Sequence, residues 1–124
     1  MRINDLVSLY VAYIGNNGGK KRPVLIRKIR SEDITAFKIT SKYAHESEYI
    51  KQQYYPIQDW KISGLNRQSW VDIGTLYSFP KDQLTFKEIG HLTDKDLIGI
   101  DRFVHHYNEY RQIKKFHQNN RMKK

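Results

Sequence analysis

The pair Arg22-Pro23 is the first feature of this sequence that suggests chemistry. Proline confines the residue before it to extended conformations, so the Arg22 side chain should leave the preceding loop in a defined direction. A guanidinium stays charged and can hold a phosphate through two parallel hydrogen bonds. Lys20, Lys21 and the adjacent Gly19 add charge and leave room for a phosphate backbone. The segment predicts an anion-binding position, against the simpler interpretation of Arg22 as a solvent-facing charge.

Positive charge is concentrated in two stretches of the sequence. The chain of 124 residues has a formal net charge of +9, and residues 20–30 and 111–124 are basic runs without any acid. Such a distribution is expected of a protein that contacts a polyanion. We interpret residues 111–124 as a solvated basic tail that follows a domain spanning residues 1–110. The charges of residues 20–30 interrupt an apolar segment, so we expect them on an ordered surface.

Several kinds of site are excluded by residue type or spacing. The sequence has no cysteine, which removes disulfides, thiolate metal sites and a cysteine nucleophile. His105 and His106 are adjacent, so on a helix they point about 100° apart and cannot share a metal. We therefore expect no metal and no cofactor. No apolar run approaches the ~20 residues that cross a bilayer, and the first residues lack a signal core, so we expect a cytoplasmic protein without a membrane partner.

Patterns of apolar residues predict the elements that would position Arg22. Alternation and β-branched residues predict strands at residues 6–14, 23–29, 34–40, 54–57, 69–73 and 76–79. The apolar run at residues 24–26 predicts burial on both faces of its strand, and Gly74 separates the last two strands. Residues 41–68 form a long, polar and aromatic connection, a length that usually serves a function or contains short elements of its own.

One helix is well defined by its first turn. Thr93 is a good N-cap with Asp96 at the third helical position, and Leu92 and Leu97 occupy the positions of a hydrophobic staple. An apolar stripe follows at Leu97, Ile100, Phe103, Val104 and Tyr107. Several short strands closed by one terminal amphipathic helix predict a mainly β, α+β fold, a small curled barrel.

Four segments resemble the MazF/PemK family. The run KRPVLI at residues 21–26 is similar to the RPVLV signature that opens the family's second strand. The runs NDLV at residues 4–7 and ITS at residues 39–41 resemble its opening strand and the end of its third strand. The run IGHLTDKDL at residues 89–97 resembles the start of its closing helix. The matches keep the family's order, and the first and last together are fairly specific.

The resemblance implies a fold, an activity and partners. The fold would be a small SH3-like barrel of the MazF/PemK/CcdB type, usually a homodimer. The activity would be metal-independent endoribonuclease cleavage of single-stranded RNA such as mRNA, neutralised by a cognate antitoxin protein. The ribose 2′-hydroxyl is then the nucleophile, so RNA is required and DNA is not cut. The resemblance also implies catalytic roles for Arg22 and Thr40, with substrate contacts by their basic and polar neighbours Gly19, Lys20, Lys21, Arg27 and Ser41.

The sequence departs from the family at its acidic positions. Family members carry an acid between the first two strands and another in a later strand, where this chain has Asn16, Asn17 and Gly74. Asp72 lies two residues before Gly74, hence on the same strand face, and is our predicted proton acceptor. Two alternatives stay open, a non-catalytic relative that only binds nucleic acid or a partner, and an interaction module whose basic tail contacts DNA or ribosomes. Catalysis requires Arg22 and Thr40 to meet in one cleft.

Overall fold

The computed structural model describes residues 1–11 and 21–122 of the chain. Two of the predicted substrate contacts, Gly19 and Lys20, lie outside the described residues. The strands are β1 (Asp5–Val11), β2 (Arg22–Ile29), β3 (Asp33–Thr40), β4 (Tyr54–Pro56), β5 (Trp70–Pro80) and β6 (Leu84–His91). The helices are α1 (Glu48–Lys51) and α2 (Asp94–Met122), and a single 3-10 turn (Lys81–Gln83) joins β5 to β6.

The strands within the described ranges form one six-stranded sheet in the order β4-β5-β3-β2-β1-β6. Every neighbouring pair is antiparallel. A single antiparallel sheet with a C-terminal helix confirms the predicted mainly β fold class. None of the helices in the described part of the chain combines the length and the apolar character needed to cross a membrane.

Both faces of the sheet are buried at β2, as the apolar run in that strand predicted. Leu25 belongs to one apolar cluster, while Val24 and Ile26 belong to a second one. Successive residues of a strand point to opposite faces, so a continuous apolar run needs a core on each side. The second cluster is completed by Val7 and Leu9 from β1 and by Ile34 and Ala36 from β3.

Helix α2 covers the first cluster with the stripe that the sequence predicted. Ile100 is fully buried in that cluster, and Leu97, Phe103, Val104 and Tyr107 pack against it. The Thr93 Oγ1 accepts a hydrogen bond from the Asp96 N–H at 3.4 Å, as expected of an N-cap. The helix continues to Met122, so the backbone of the predicted basic tail is helical up to that residue. The division of the chain at residue 111 stays a prediction.

The predicted strands at residues 69–73 and 76–79 are wrong in one respect, because they form the single strand β5. The position of Gly74 is instead a break in register: Phe37 lies opposite Leu76, but the next residue, Lys38, lies opposite Asp72. The Gln53 side-chain amide lies where a Cβ on Gly74 would be. A larger residue here would displace that amide, which donates a hydrogen bond to the Asp72 Oδ1.

Strand β6 was not predicted at all. It lies at an edge of the sheet, and most of its side chains are exposed or only partly buried. An edge strand of this kind lacks the alternation of buried and exposed residues that identifies a strand in sequence. The 41–68 connection does contain short elements of its own, namely α1 and the predicted strand near residues 54–57, which is β4.

Candidate active-site cleft

A cleft of about 460 Å³ opens where β2 begins and β3 ends. β2 and β3 are antiparallel, with Val24 opposite Lys38. Two residues toward the start of β2 and two residues toward the end of β3, Arg22 therefore lies beside Thr40. Arg22 and Thr40 both line the cleft, and so does Ser41. The strand pairing therefore brings together two residues that the sequence separates by a loop and two strands.

The cleft is strongly basic. Arg22, Lys38, Lys42 and Arg67 line it, and its described lining contains no acid. Within the part of the chain that the structure describes, the ion pairs involve none of these four side chains. Four cations that lie outside these ion pairs create a positive potential, which attracts an anionic ligand such as a phosphate backbone.

The Thr40 hydroxyl is oriented by the backbone that follows it. The Lys42 N–H donates a hydrogen bond to the Thr40 Oγ1 at 3.0 Å. A hydroxyl that accepts one hydrogen bond still has its own proton to donate. Thr40 can therefore act as a hydrogen-bond donor to an oxygen bound in the cleft.

A further part of the cleft lining comes from residues 57–69, which we call the wall loop. Its lining residues are Gly64, Leu65, Asn66, Arg67 and Ser69. The two ends of the loop are joined, since the Ile57 N–H donates to the Ser69 carbonyl oxygen at 3.0 Å. The Gln68 Nε2 also donates to the Ile57 carbonyl oxygen at 3.0 Å. The wall loop is thus a compact loop with closed ends.

A buried carboxylate fixes the start of the wall loop to α2. Asp96 is fully buried, with 0% of its surface exposed. Its Oδ1 accepts hydrogen bonds from the Tyr55 hydroxyl at 2.6 Å and the Gln58 N–H at 2.8 Å. Its Oδ2 accepts from the Asp59 N–H at 2.8 Å. The Asp59 carboxylate in turn accepts from the Thr93 hydroxyl at 2.7 Å, so the helix N-terminus and the loop hold each other in place.

Two glycines allow the middle of the wall loop to lie against β6. Gly64 has φ of +99°, a conformation that L side chains rarely adopt, and a Cβ there would meet the Ile89 carbonyl oxygen. A Cβ on Gly90 would meet the Ser63 carbonyl oxygen. Trp60 and Leu65 also pack against the first apolar cluster. The loop is therefore fixed at its start, middle and end.

Burial and the hydrogen bond to Asp96 raise the pKa of Tyr55 well above its ordinary value of 10.0. In the unfolded chain the Tyr55 phenol ionises near pH 10.0, whereas in the folded chain it keeps its proton at that pH. The stabilising contribution of Tyr55 is therefore complete below that pH and is lost as the pH rises toward the folded pKa.

We expect Tyr55→Phe to be less stable than wild type at neutral pH, because the Asp96 Oδ1 loses a buried hydrogen bond. Above pH 10 the variant should lose stability less steeply, since it has no phenol to ionise at position 55. Urea unfolding across a pH series measures both effects. Tyr110→Phe, at an exposed tyrosine of α2, is the matched control. Parallel pH profiles for the two variants would contradict this account of Tyr55.

Other predicted substrate contacts are placed differently. Lys21 is exposed immediately before β2 but does not line the cleft. Arg27 lies five residues along β2 from Arg22, roughly 16 Å away at the rise of a strand. Its guanidinium donates to the Asn4 Oδ1 at 3.1 Å, lies 3.5 Å from the Asp101 carboxylate and stacks over Phe37. These contacts tie β2 to α2, and the structure does not bring Arg27 into the cleft.

Asp72, the predicted proton acceptor, lies one strand away from the cleft lining. It is on β5 directly opposite Lys38, and residues opposite each other point to the same face of a sheet. Its Oδ1 accepts hydrogen bonds from the Gln53 Nε2 at 3.0 Å and the Gly74 N–H at 2.9 Å. Asp72 is not among the residues that line the cleft with Arg22 and Thr40. Its role stays a prediction.

The lining residues that the sequence analysis missed include two lysines, an asparagine and an arginine. Lys38 and Lys42 lie two residues before and after Thr40, and Lys38 shares its strand face, so the spacing around Thr40 could have identified them. Asn66 and Arg67 have no such local signal. They reach the cleft only because the wall loop folds back through contacts with α2 and β6.

Comparisons with known proteins identify the fold. No family model matches the sequence, and no protein of curated function matches it. Among solved structures, the chain is similar to a toxin of Mtb, with 20% identity and a TM-score of 0.54 over 80% of this chain and 97% of that one. It is also similar to the Mycobacterium tuberculosis toxin MazF-mt6, with 21% identity and a TM-score of 0.53 over 78% of this chain and 91% of that one. This chain therefore has the fold of the MazF toxins.

Proposed function

We propose that this chain is a MazF-like endoribonuclease toxin that cleaves single-stranded RNA. The observation that carries the proposal is the meeting of Arg22 and Thr40 in one basic cleft. A module that only used a basic tail would need no such cleft. The similarity in fold to MazF-mt6, which is described as a toxin, supports the same conclusion. The cytoplasm, where mRNA is found, is the proposed place of action.

The proposed reaction uses the substrate's own nucleophile. The ribose 2′-oxygen attacks the adjacent phosphorus, a new P–O2′ bond forms and the P–O5′ bond breaks. The 2′-hydroxyl gives up a proton and the leaving 5′-oxygen takes one, so no oxidant or metal is needed to balance the step. Arg22 stabilises the extra negative charge on the phosphate as it develops, and Thr40 donates a hydrogen bond to a phosphate oxygen.

The acceptor for the 2′-hydroxyl proton is the role least well supplied by the cleft. Its described lining contains neither a carboxylate nor an imidazole. This observation favours the second candidate function, a relative that keeps the basic cleft and binds RNA without cutting it. Asp72 is the proposed acceptor, and it would have to reach past Lys38 from the neighbouring strand.

Cleavage should survive an excess of chelator and leave a 2′,3′-cyclic phosphate and a 5′-hydroxyl. These ends follow from attack by the 2′-oxygen, which requires no metal-bound water. The measurement is incubation with mixed single-stranded RNA followed by mapping of the ends, with an all-deoxy strand as control. Activity that is lost with chelator and restored by magnesium would contradict the mechanism. Binding without any cut would favour the second candidate function.

The proposed partners beyond RNA are an antitoxin and a second copy of the chain. Apolar side chains are exposed on β5 and β6: Leu76 is 52% exposed, Tyr77 42% and Phe86 44%. Phe79 is partly buried and packs against the second apolar cluster. The cognate antitoxin would add electrostatic contacts to the chain. Residues 111–124 would add electrostatic contacts to RNA.

We expect a homodimer at micromolar concentration, because a two-fold interface would cover these side chains. Sedimentation measures the mass in solution. Tyr77→Arg should shift the chain toward monomer, whereas Tyr110→Arg, which changes an exposed residue of α2, should not. A wild-type monomer across the micromolar range would exclude the dimer.

A further inference from the structure

We infer that the wall loop selects which nucleotide is cut: Asn66 binds the edge of a base beside the scissile phosphate, and Arg67 holds a neighbouring phosphate. The inference rests on the proposed RNA-cleaving function, since it assigns the substrate contacts of the same cleft. It concerns the part of the cleft lining that the wall loop contributes.

The two sides of the cleft differ in what they can recognise. Arg22 and Thr40 offer groups suited to a phosphate, and every nucleotide carries the same phosphate. Contacts to phosphate position a nucleic acid, whereas contacts to base edges distinguish one sequence from another. Selection among nucleotides must therefore come from groups elsewhere in the cleft. The wall loop supplies them.

Asn66 and Arg67 are the exposed long polar side chains that this loop contributes to the lining. Two other lining residues of the loop are held inward, because Leu65 packs against the first apolar cluster and Ser69 is buried. The Ser69 hydroxyl also donates to the Arg67 carbonyl oxygen at 3.0 Å, which fixes the backbone at this point. A fixed backbone that carries two exposed polar side chains is suited to selective binding, since little entropy is lost in ordering it.

The chemistry of the two side chains differs. The Asn66 amide presents a donor and an acceptor side by side, which is the arrangement that pairs with a base edge. Bases of single-stranded RNA are unpaired, so their edges are free for such contacts. Arg67 adds a fork of donors that matches two phosphate oxygens. Asn66 should therefore determine sequence preference, and Arg67 should determine affinity.

The fixed position of the loop makes this assignment specific to these residues. Asp96 binds the loop at Gln58 and Asp59, and Gly64 and Gly90 allow it to contact β6. Lys61 belongs to the same loop and is exposed, but it does not line the cleft. Lys61 can therefore serve as the control, because its substitution removes a positive charge from the wall loop outside the cleft.

Asn66→Ala should reduce the preference for the base beside the cut by about tenfold, the scale of losing one bidentate base contact. The measurement is kcat/KM on four oligonucleotides that differ only at that base. Asn108→Ala, at an exposed asparagine of α2, is the matched control and should keep the wild-type preference. An unchanged preference in Asn66→Ala would overturn the assignment while leaving RNA cleavage in place.

Arg67→Ala should raise KM for all four oligonucleotides equally and leave kcat nearly unchanged. The dependence of log affinity on log salt should become shallower by about 0.7, the value for one phosphate contact to a single strand. Lys61→Ala removes the same charge from the same loop and should change neither quantity. Equal effects of the two variants would overturn the assignment of Arg67.

A binding experiment separates failure of this inference from failure of the proposed function. The four oligonucleotides are prepared with a 2′-deoxyribose at the scissile position, so they bind without being cut. A wild-type preference that Asn66→Ala removes would support the inference even if wild type cuts no RNA. Wild-type binding with no preference, or no binding at all, would overturn the inference whatever the result of the cleavage assay.

Discussion

Arg22→Ala should slow RNA cleavage by about a hundredfold or more, the scale of losing a preorganised donor to the transition state. Arg22 lies at the start of β2 beside Thr40, where the antiparallel pairing of β2 and β3 fixes its position. Binding of uncut RNA should weaken far less, because Lys38, Lys42 and Arg67 still hold the backbone. The measurement is single-turnover cleavage together with the Kd for a 2′-deoxy-substituted strand.

Two substitutions refine this expectation. Arg22→Lys should restore activity poorly, since a point charge cannot reproduce a two-pronged grip on a phosphate. Lys28→Ala is the matched control, because it removes an exposed charge from the same strand outside the cleft. Full activity in Arg22→Ala would remove the catalytic interpretation altogether.

Thr40→Val tests the second catalytic residue without a change of shape. Valine keeps the branched side chain and the preference for a strand, but it removes the hydroxyl that accepts from the Lys42 N–H. Turnover should fall while the fold and RNA binding are retained. Thr85→Val, at an exposed position of β6, is the control for the same chemical change.

Asp72→Asn determines whether that carboxylate is the proton acceptor. Asparagine keeps an oxygen that can accept from the Gly74 N–H, so the local backbone should persist. A large fall in turnover with unchanged binding would assign the role to Asp72. Unchanged turnover, with Arg22→Ala inactive, would leave the reaction in place with its proton acceptor elsewhere.

The part of the site built by neighbouring strands could be predicted from sequence. Arg22-Pro23 marks the start of a strand, and Thr40 marks the end of the strand that pairs with it. Local patterns fix both strands, and antiparallel pairing then places the two ends together. The same reasoning predicted burial on both faces of β2 and the apolar stripe of α2.

The wall loop could not be predicted in this way. Its position depends on the hydrogen bonds that the Gln58 and Asp59 N–H groups donate to the Asp96 carboxylate, which is far away in sequence. Asp96 was interpreted through its local role in a capping box, yet its carboxylate oxygens accept from the loop and from Tyr55. A residue that satisfies a local pattern gives no sign that its side chain serves a distant segment.

Asp96→Ala should lower the free energy of unfolding by about 3 kcal/mol or more, because it leaves one buried and two partly buried donors without a partner, and a buried donor in that state costs roughly 1–3 kcal/mol. The donors are the Gln58 and Asp59 N–H groups and the Tyr55 hydroxyl. The midpoint of thermal unfolding should fall by about 10 °C for a domain of this size. Asp96→Asn should lower the stability less, because it keeps one acceptor oxygen. It should still lower it, because the amide N–H₂ would lie against an N–H donor.

Asp94→Asn is the control that separates the hydrogen bonds between Asp96 and the wall loop from the effect of a negative charge at the helix N-terminus. Asp94 is exposed in the same first turn, so it makes the same favourable contribution to the helix dipole without binding the wall loop. Because Asp96 acts on the cleft through the loop, Asp96→Asn should reduce sequence preference at temperatures where the chain is still folded. Asp94→Asn should keep that preference. If both variants unfold at the same temperature and cut the same sequences, the Asp96 contacts do not hold the wall loop in solution.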